Sequence, residues 1–245
     1  MSKDKYVYVG NWKMSGTRTS SAAWIEAFNT SKGRKLFTST KRIIVAPPLY
    51  LLSLMADQIA KYGLPIAIAS QDLDPQAEIL YSDPEKGMKH TGQGHVPAHI
   101  ADCANYIILG HPETRTRKKL TNDDVNKRLD IARKYDLLPI VCVTNIGQAA
   151  AITRHDSQFA GIIAYEPLEN IGTVAADPTK ANKVCRQITK LYPRAQVMYG
   201  GSVNPKNIHS FLTQDSISGV LVGDKSSNAD FFQDIIRRRL PKMLN

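Results

Sequence analysis

About eight short apolar runs, each rich in Val, Ile or Tyr, alternate along this chain with longer segments of helical periodicity. The runs are almost continuously hydrophobic, which is expected of strands that are covered on both faces. A strand–helix unit that repeats about eight times over 245 residues has the size and rhythm of a closed (β/α)8 barrel. The predicted strands are residues 7–10, 43–46, 66–70, 106–109, 139–143, 161–165, 196–199 and 220–222.

The segments between the strands complete this prediction. Apolar stripes and capping residues predict helices over residues 20–28, 49–62, 122–135, 178–192 and 228–240. An open doubly wound sheet would need fewer units, and no Gly-x-Gly-x-x-Gly pattern follows the first strand. No Gly/Ser-rich or Pro-rich tract divides the chain. We therefore predict an α/β protein with a single (β/α)8 domain, a TIM barrel, over residues 1–245.

The formal net charge of +10 would suit an anionic partner, either a nucleic acid or a small phosphorylated substrate. The dense basic clusters are residues 115–119 and 237–239, and neither has the interleaved aromatic residues of a base-stacking surface. A solvated, lysine-rich surface explains the charge better. We therefore predict a small anionic substrate and no nucleic-acid partner.

Cysteine usage and apolar stretches indicate a compartment. Cys103, Cys142 and Cys185 are far apart in sequence, which is typical of buried free thiols in a reducing environment. Residues 1–5 lead directly into the first strand and leave no room for a signal peptide. No apolar stretch approaches the length that spans a bilayer. We predict a cytoplasmic protein without a membrane partner.

Reactive side chains follow three of the predicted strands. Asn11 and Lys13 follow the first strand, His111 follows the fourth and Glu166 follows the sixth. The carboxyl ends of parallel strands meet at one edge of a sheet, so these side chains can converge there. Lys13 would offer a fixed positive charge to an anionic ligand that Asn11 orients. The alternative is a loop lysine exposed to solvent.

His111 and Glu166 have the chemistry of proton transfer. The positive end of a helix dipole next to His111 favours a neutral imidazole, which can donate a hydrogen bond to a carbonyl oxygen. Partial burial would raise the pKa of Glu166 toward the range of a general base. The alternatives are a capping histidine and a structural carboxylate paired with a lysine.

Glycine-containing turns predict an anion site late in the chain. Residues 171–173, 200–203 and 222–223 follow or lie near late strands, and barrels often bind phosphate after strands seven and eight. The tract 90–95 contains two histidines, but it has no nearby cluster of carboxylates or cysteines. We predict neither a metal nor another cofactor.

Four segments resemble the triosephosphate isomerase family in order and spacing, and the similarity runs along essentially the whole chain. The segments are Gly10-Asn11-Trp12-Lys13-Met14, Ile108-Leu109-Gly110-His111-x-Glu113, Ala164-Tyr165-Glu166-Pro167-x-x-x-Ile171-Gly172-Thr173 and Tyr199-Gly200-Gly201-Ser202-Val203-Asn204. The resemblance implies interconversion of D-glyceraldehyde 3-phosphate and dihydroxyacetone phosphate.

The resemblance also implies a role for each proton-transfer residue. Glu166 would move a proton between adjacent carbons while a neutral His111 polarises the carbonyl, a pairing that is a known property of this family. Lys13 and Asn11 would stabilise the enediolate, and Glu113 would support the electrostatics behind them.

Phosphate binding and assembly follow from the same resemblance. Backbone groups of Gly172, Ser202, Gly223 and Asp224 would hold the phosphate. Residues 167–174 would form a mobile lid that excludes water. Residues 90–94 would dock into a second subunit, which implies a homodimer.

The chain departs from the family pattern around the phosphate. Asp224 stands where a second glycine is usual, residues 168–170 read Leu-Glu-Asn in place of the common Val-Trp-Ala, and residues 174–176 lack the usual Gly-Lys. These departures keep two alternatives open. One is an isomerase with the same mechanism that acts on another short ketose or aldose phosphate, such as a tetrulose phosphate. The other is a catalytically silent barrel that serves as a binding scaffold.

Overall fold

A closed barrel of eight parallel strands forms the centre of the molecule in this computed structural model, which describes residues 6–83, 94–152 and 158–238. Each strand pairs with its neighbours in sequence, and the last strand pairs with the first. The strands are β1 (Tyr6–Asn11), β2 (Lys41–Ala46), β3 (Ile66–Ser70), β4 (Tyr106–Leu109), β5 (Leu138–Val143), β6 (Ile162–Tyr165), β7 (Gln196–Gly200) and β8 (Gly219–Val222). The predicted (β/α)8 TIM-barrel fold is confirmed.

The helices surround the barrel. They are α1 (Arg18–Asn29), α2 (Ser31–Arg34), α3 (Leu52–Lys61), α4 (Pro75–Ser82), α5 (Pro97–Ala101), α6 (Pro112–Lys118), α7 (Asn122–Lys134), α8 (Ile146–Ile152), α9 (Pro178–Leu191), α10 (Ile208–Leu212) and α11 (Ala229–Arg237). Short 3-10 turns occupy Leu49–Leu51, Leu168–Asn170 and Asp224–Ser227. Within the described ranges, no helix has both the length and the apolar character needed to cross a bilayer.

The strand predictions agree with the structure to within two residues at every end. The predicted helices also exist, and capping residues explain where two of them begin. Helix α1 begins earlier than predicted because Thr17 accepts a hydrogen bond from the backbone N–H of Ser20. Thr121 caps α7 in the same way. The predicted end of the last helix, at residue 240, lies outside the described residues.

Two apolar layers fill the molecule. Alternate strand residues fill the barrel interior, where Cys142 is fully buried among them. The other strand residues face outward and pack against the helices. The parallel strands are therefore covered on both faces, which explains why their sequences are nearly continuous apolar runs.

The carboxyl ends of all eight strands lie at one end of the barrel because the strands are parallel. This edge carries Asn11 at the end of β1 and Glu166 directly after β6. His111 follows β4 after one glycine, and Gly223 directly follows β8. The fold thus brings together residues that lie far apart in sequence.

Candidate active site

A cavity of about 370 Å³ opens at the carboxyl edge of the barrel. Lys13, His111 and Glu166 line one part of it. The other part is lined by backbone-rich segments, which are residues 171–173, 201–204 and 221–225. The cavity therefore has a titratable end and an end rich in glycine and serine.

Glu166 is delivered into the cavity by β6 and is only 3% exposed. Its backbone N–H donates to the carbonyl oxygen of Val143 at 2.8 Å, which continues the sheet to the carboxyl edge of the barrel. A side chain at position 200 would collide with it, because a Cβ on Gly200 would lie 2.6 Å from Glu166 Cγ. Gly200 thus leaves room for the carboxylate of Glu166. This requirement is separate from the anion-binding role that was predicted for the turn at residues 200–203.

Glu166 and His111 face each other across the cavity, with Oε2 and Nε2 3.5 Å apart. Burial raises the pKa of Glu166, but His111, Cys142 and Lys13 lower it, and the net pKa lies below its usual value. The predicted rise in this pKa is therefore wrong, because the cationic and hydrogen-bonding neighbours outweigh desolvation. The carboxylate is ionised at neutral pH, as a base must be.

His111 is the N-cap of α6 and is 5% exposed. Its Nδ1 accepts a hydrogen bond from the backbone N–H of Glu113 at 3.3 Å, so the neutral ring carries its proton on Nε2, facing Glu166. Burial lowers the pKa of His111, while the charge of Glu166 raises it to a net value above the usual one. The helix N-terminus fixes the tautomer but does not set the charge. The prediction that it favours the neutral imidazole by lowering the pKa is wrong, because the nearby Glu166 carboxylate outweighs burial and raises the pKa.

Lys13 reaches the cavity from a left-handed backbone conformation, with φ of 53°. Its backbone N–H donates to Asn11 Oδ1 at 3.1 Å, which holds the turn after β1. Its ammonium group pairs with the Glu113 carboxylate. The end of the side chain also lies beside β8, because a Cβ on Gly223 would be 3.5 Å from Lys13 Cε.

Gln71, which directly follows β3, holds the turn that contains Lys13, and the sequence analysis did not identify it. Its Nε2 donates to the carbonyl oxygen of Lys13 at 2.7 Å and to that of Ala46 at 2.9 Å. These two bonds satisfy both amide protons and tie the loop after β1 to the end of β2. Its position directly after a predicted strand was the only feature of the sequence that could have identified it.

The glycine-rich end of the cavity is formed by three loops. Gly172 has a φ of 71° and Ser202 a φ of 51°, so both turns place backbone N–H groups in directions that ordinary strand geometry does not reach. Gly223 caps the 3-10 turn that begins at Asp224. Asp224 itself is exposed and lines the cavity.

The lid loop (residues 167–176) contains the predicted lid, residues 167–174, and is attached both to β7 and to the loop that follows β7. The Ser202 hydroxyl donates to the carbonyl oxygen of Asn170 at 2.8 Å. The backbone N–H of Ala176 donates to the Tyr199 hydroxyl at 2.9 Å. Tyr199 belongs to one of the family-like segments of the sequence, but no role was predicted for it. The structure shows that its hydroxyl holds the end of the lid loop.

The structure brings all nine predicted site residues to this end of the barrel. Seven of them line the main cavity, and they are Lys13, His111, Glu166, Gly172, Ser202, Gly223 and Asp224. Asn11 and Glu113 line a second opening on the other side of Lys13. Of the tract 90–95, residues 90–93 lie outside the described residues. Elsewhere in the described ranges, no group of three or more His, Cys, Asp or Glu side chains is arranged to hold a metal.

The fold and the site together define a (β/α)8-barrel enzyme whose titratable groups meet at the carboxyl edge of the strands. Comparison with known proteins then gives the family. The family model described as triosephosphate isomerase matches residues 6–239. The chain belongs to the triosephosphate isomerase family.

Individual relatives agree with this assignment. The triosephosphate isomerase of Gloeobacter violaceus is 32% identical over 249 residues, covering 94% of this chain and 97% of the relative. That of Dictyoglomus turgidum is 31% identical, covering 94% and 98%. That of Mesomycoplasma hyopneumoniae is 30% identical, covering 95% and 98%. The similarity thus extends over nearly the whole length of each protein.

Proposed function

We propose that this chain interconverts D-glyceraldehyde 3-phosphate and dihydroxyacetone phosphate through an enediolate, with Glu166 as the general base. The observation that carries the proposal is the buried pair of Glu166 and His111, 3.5 Å apart in one cavity with Lys13. Membership of the triosephosphate isomerase family supports the reaction.

The ionised Glu166 carboxylate removes a proton from the carbon next to the substrate carbonyl. The electrons of that C–H bond form the C=C bond of the enediolate, and the carbonyl oxygen gains the charge. Glu166 then returns the proton to the adjacent carbon, so no atom is gained or lost. Among the described residues Oε1 of Glu166 has no hydrogen-bond partner, which leaves a buried oxygen available for this proton.

His111 supplies the electrophile. Its Nε2–H can donate to the oxygen on which charge develops and can carry a proton between the two substrate oxygens. Lys13 adds a positive charge that stabilises the enediolate, and Asn11 fixes the backbone from which Lys13 extends. Glu113 supports both groups, since it contacts Lys13 through its side chain and His111 through its backbone.

The phosphate is held at the glycine-rich end of the cavity. Backbone N–H groups of Gly172, Ser202, Gly223 and Asp224 are the proposed donors, because all four residues line this end. The lid closes over the phosphate and excludes water from the reacting carbons. No cofactor takes part in this scheme.

We further propose a cytoplasmic homodimer in which residues 1–245 form one domain. The family resemblance supports this assembly, and the docking segment 90–94 lies almost entirely outside the described residues. Sedimentation equilibrium of the purified protein would test it, with a mass near twice 27.1 kDa expected.

An isomerase of the same mechanism that acts on a four-carbon ketose phosphate remains the second candidate. The observation that favours it is Asp224 at the proposed phosphate end of the cavity. A phosphate that is bound by backbone N–H groups has no need of a carboxylate there. Steady-state assays of both triose phosphates and of a tetrulose phosphate would decide. We expect kcat/KM to be highest for the trioses, and a higher value for the tetrulose phosphate would overturn the substrate assignment.

A further inference from the structure

The lid is braced by two of its own side chains. Asn170 Nδ2 donates to the carbonyl oxygen of Val174 at 2.6 Å, and Thr173 Oγ1 donates to that of Glu169 at 2.5 Å. Both hydrogen bonds cross the turn at Gly172, whose φ of 71° reverses the chain. The shape of this turn therefore depends on side chains as well as on its glycine.

Asn170 also docks the lid onto the loop after β7. Its carbonyl oxygen accepts the hydrogen bond from Ser202 Oγ at 2.8 Å. Its Cβ rests against Gly201, since a Cβ built on that glycine would lie 3.4 Å away. One residue thus both shapes the turn and fixes where the turn meets the barrel.

The braced turn faces the ligand cavity. Ile171, Gly172 and Thr173 line the same cavity as Glu166 and Lys13. Asn170 and Val174 flank these three residues, so a bond between them limits where the Gly172 backbone can lie. An error of about 1 Å in a positioning group is enough to change binding and turnover substantially.

We propose that Asn170 is a positioning residue that preforms the ligand-facing turn of the lid. The proposal rests on the proposed function of the cavity as a triose phosphate site. The amide bridge restricts the turn before the ligand arrives, so less conformational entropy is lost on binding. An alanine at this position, which is the common residue in the family, has no side-chain donor for Val174.

The expected effect of losing the bridge is on affinity. Asn170→Ala removes the donor, and Asn170→Asp keeps the size but replaces the donating amide with an acceptor. Both variants should bind 2-phosphoglycolate, a phosphate-bearing enediolate mimic, about threefold to tenfold more weakly. KM for the triose phosphates should rise by a similar factor while kcat changes less, because the lid contacts both the bound substrate and the transition state.

A matched control comes from the end of α10. Gln214 is a partly buried residue whose Nε2 donates to the carbonyl oxygen of Ser210, four residues away, at 3.2 Å. Gln214→Ala removes a bond of the same kind outside the lid and should bind 2-phosphoglycolate within twofold of wild type. Because Asn170 lies on an accessible loop, melting temperatures of all variants should stay within about 2 °C of wild type.

Isothermal titration of 2-phosphoglycolate and steady-state kinetics on the full-length wild type and variants test the proposal. Unchanged affinity and KM in Asn170→Ala, or an equal loss in Gln214→Ala, would overturn it. A wild-type protein that neither binds 2-phosphoglycolate nor isomerises triose phosphates would instead overturn the proposed function. The two failures are therefore distinguishable.

Discussion

Glu166 lies among groups that act on its charge in opposite directions. Burial favours the protonated acid, whereas His111, Cys142 and Lys13 favour the carboxylate and set a net pKa below the usual value. A buried charge of this kind is costly unless it is paired. The same pairing raises the pKa of His111, so the two groups titrate as a coupled unit.

This coupling predicts the effect of neutralising Glu166. In Glu166→Gln the charge that raises the pKa of His111 is absent, while the burial that lowers it remains. The pKa of His111 should therefore fall, and the ring should stay neutral to lower pH than in wild type. An NMR titration of the imidazole nitrogens measures this directly.

A control lies on the lid. Glu169 is an exposed carboxylate that is not among the groups perturbing His111, so Glu169→Gln should leave the titration of His111 unchanged. A rise or no change in the pKa of His111 in Glu166→Gln would contradict the coupling.

Asp224 gives a second prediction at the residue scale. Asp224 lines the proposed phosphate end of the cavity, and its carboxylate should repel a bound dianion by about 1 kcal/mol. Asp224→Asn should therefore bind inorganic phosphate about fivefold more tightly, as measured by inhibition of turnover. Asp57→Asn removes the same charge from the exposed face of α3 and should have no such effect. Unchanged inhibition in Asp224→Asn would mean that this side chain points away from the phosphate.

The sequence predicted those site residues whose position after a strand is itself the signal. Lys13, His111 and Glu166 belong to this group, and the structure brings them to one cavity. The contacts of Gln71 and the direction of the Glu166 pKa shift were not predictable in the same way. Both depend on partners that are distant in sequence and become neighbours only when the barrel closes.

At the scale of elements, β7 is hydrogen-bonded to the loop that contains the proposed lid. The Tyr199 hydroxyl accepts from the backbone N–H of Ala176 at the far end of the lid. Tyr199→Phe removes this acceptor, so the attached lid loses about 1 kcal/mol of stabilisation. The affinity for 2-phosphoglycolate should fall about fivefold, which calorimetry would measure.

Tyr192→Phe is the control for this prediction. It removes a buried hydroxyl that donates to the carbonyl oxygen of Ala149, away from the lid. This variant should lose stability but keep its affinity for the mimic. An equal loss of affinity in both variants would show that Tyr199 acts through general stability rather than through the lid.

Strands were predicted more completely than helices for a physical reason. Strands covered on both faces have continuous apolar sequences, whereas short helices need not show a periodic stripe. Helix α4 was missed because its buried positions are only Ala77 and Glu78, and an acidic residue at a buried position hides the pattern. Its cap, Asp74 followed by Pro75, was the available signal.

At the scale of the whole molecule, Glu78 connects α4 to α7. Its carboxylate accepts hydrogen bonds from Lys134 Nζ at 2.5 Å, from the Tyr135 hydroxyl at 2.6 Å and from Ser82 Oγ at 2.8 Å. Burial raises the pKa of Glu78, but these three donors lower it to a net value below the usual 4.5. The ionised form is therefore favoured by folding.

A depressed carboxyl pKa contributes stability that is present above the unfolded-state pKa and is lost as the pH falls through the folded-state pKa. The free energy of unfolding should thus decrease as the pH falls below about 4.5. Glu78→Gln should be less stable at neutral pH and should show a shallower decrease, as measured by urea unfolding from pH 7 to pH 3. Glu26→Gln, at an exposed position of α1, should keep the wild-type slope. If the free energy of unfolding of Glu78→Gln depended on pH as steeply as that of wild type, Glu78 would not contribute to the pH dependence of stability.

The closed barrel matters to function because it sets one carboxylate, one imidazole and one ammonium group around a single cavity. Turnover of triose phosphates by Glu166→Asp tests this claim most directly. Shortening the side chain by one methylene withdraws the base from the carbon, so kcat should fall about 100-fold or more while 2-phosphoglycolate still binds. A variant that turns over within twofold of wild type would contradict the assignment of Glu166 as the base.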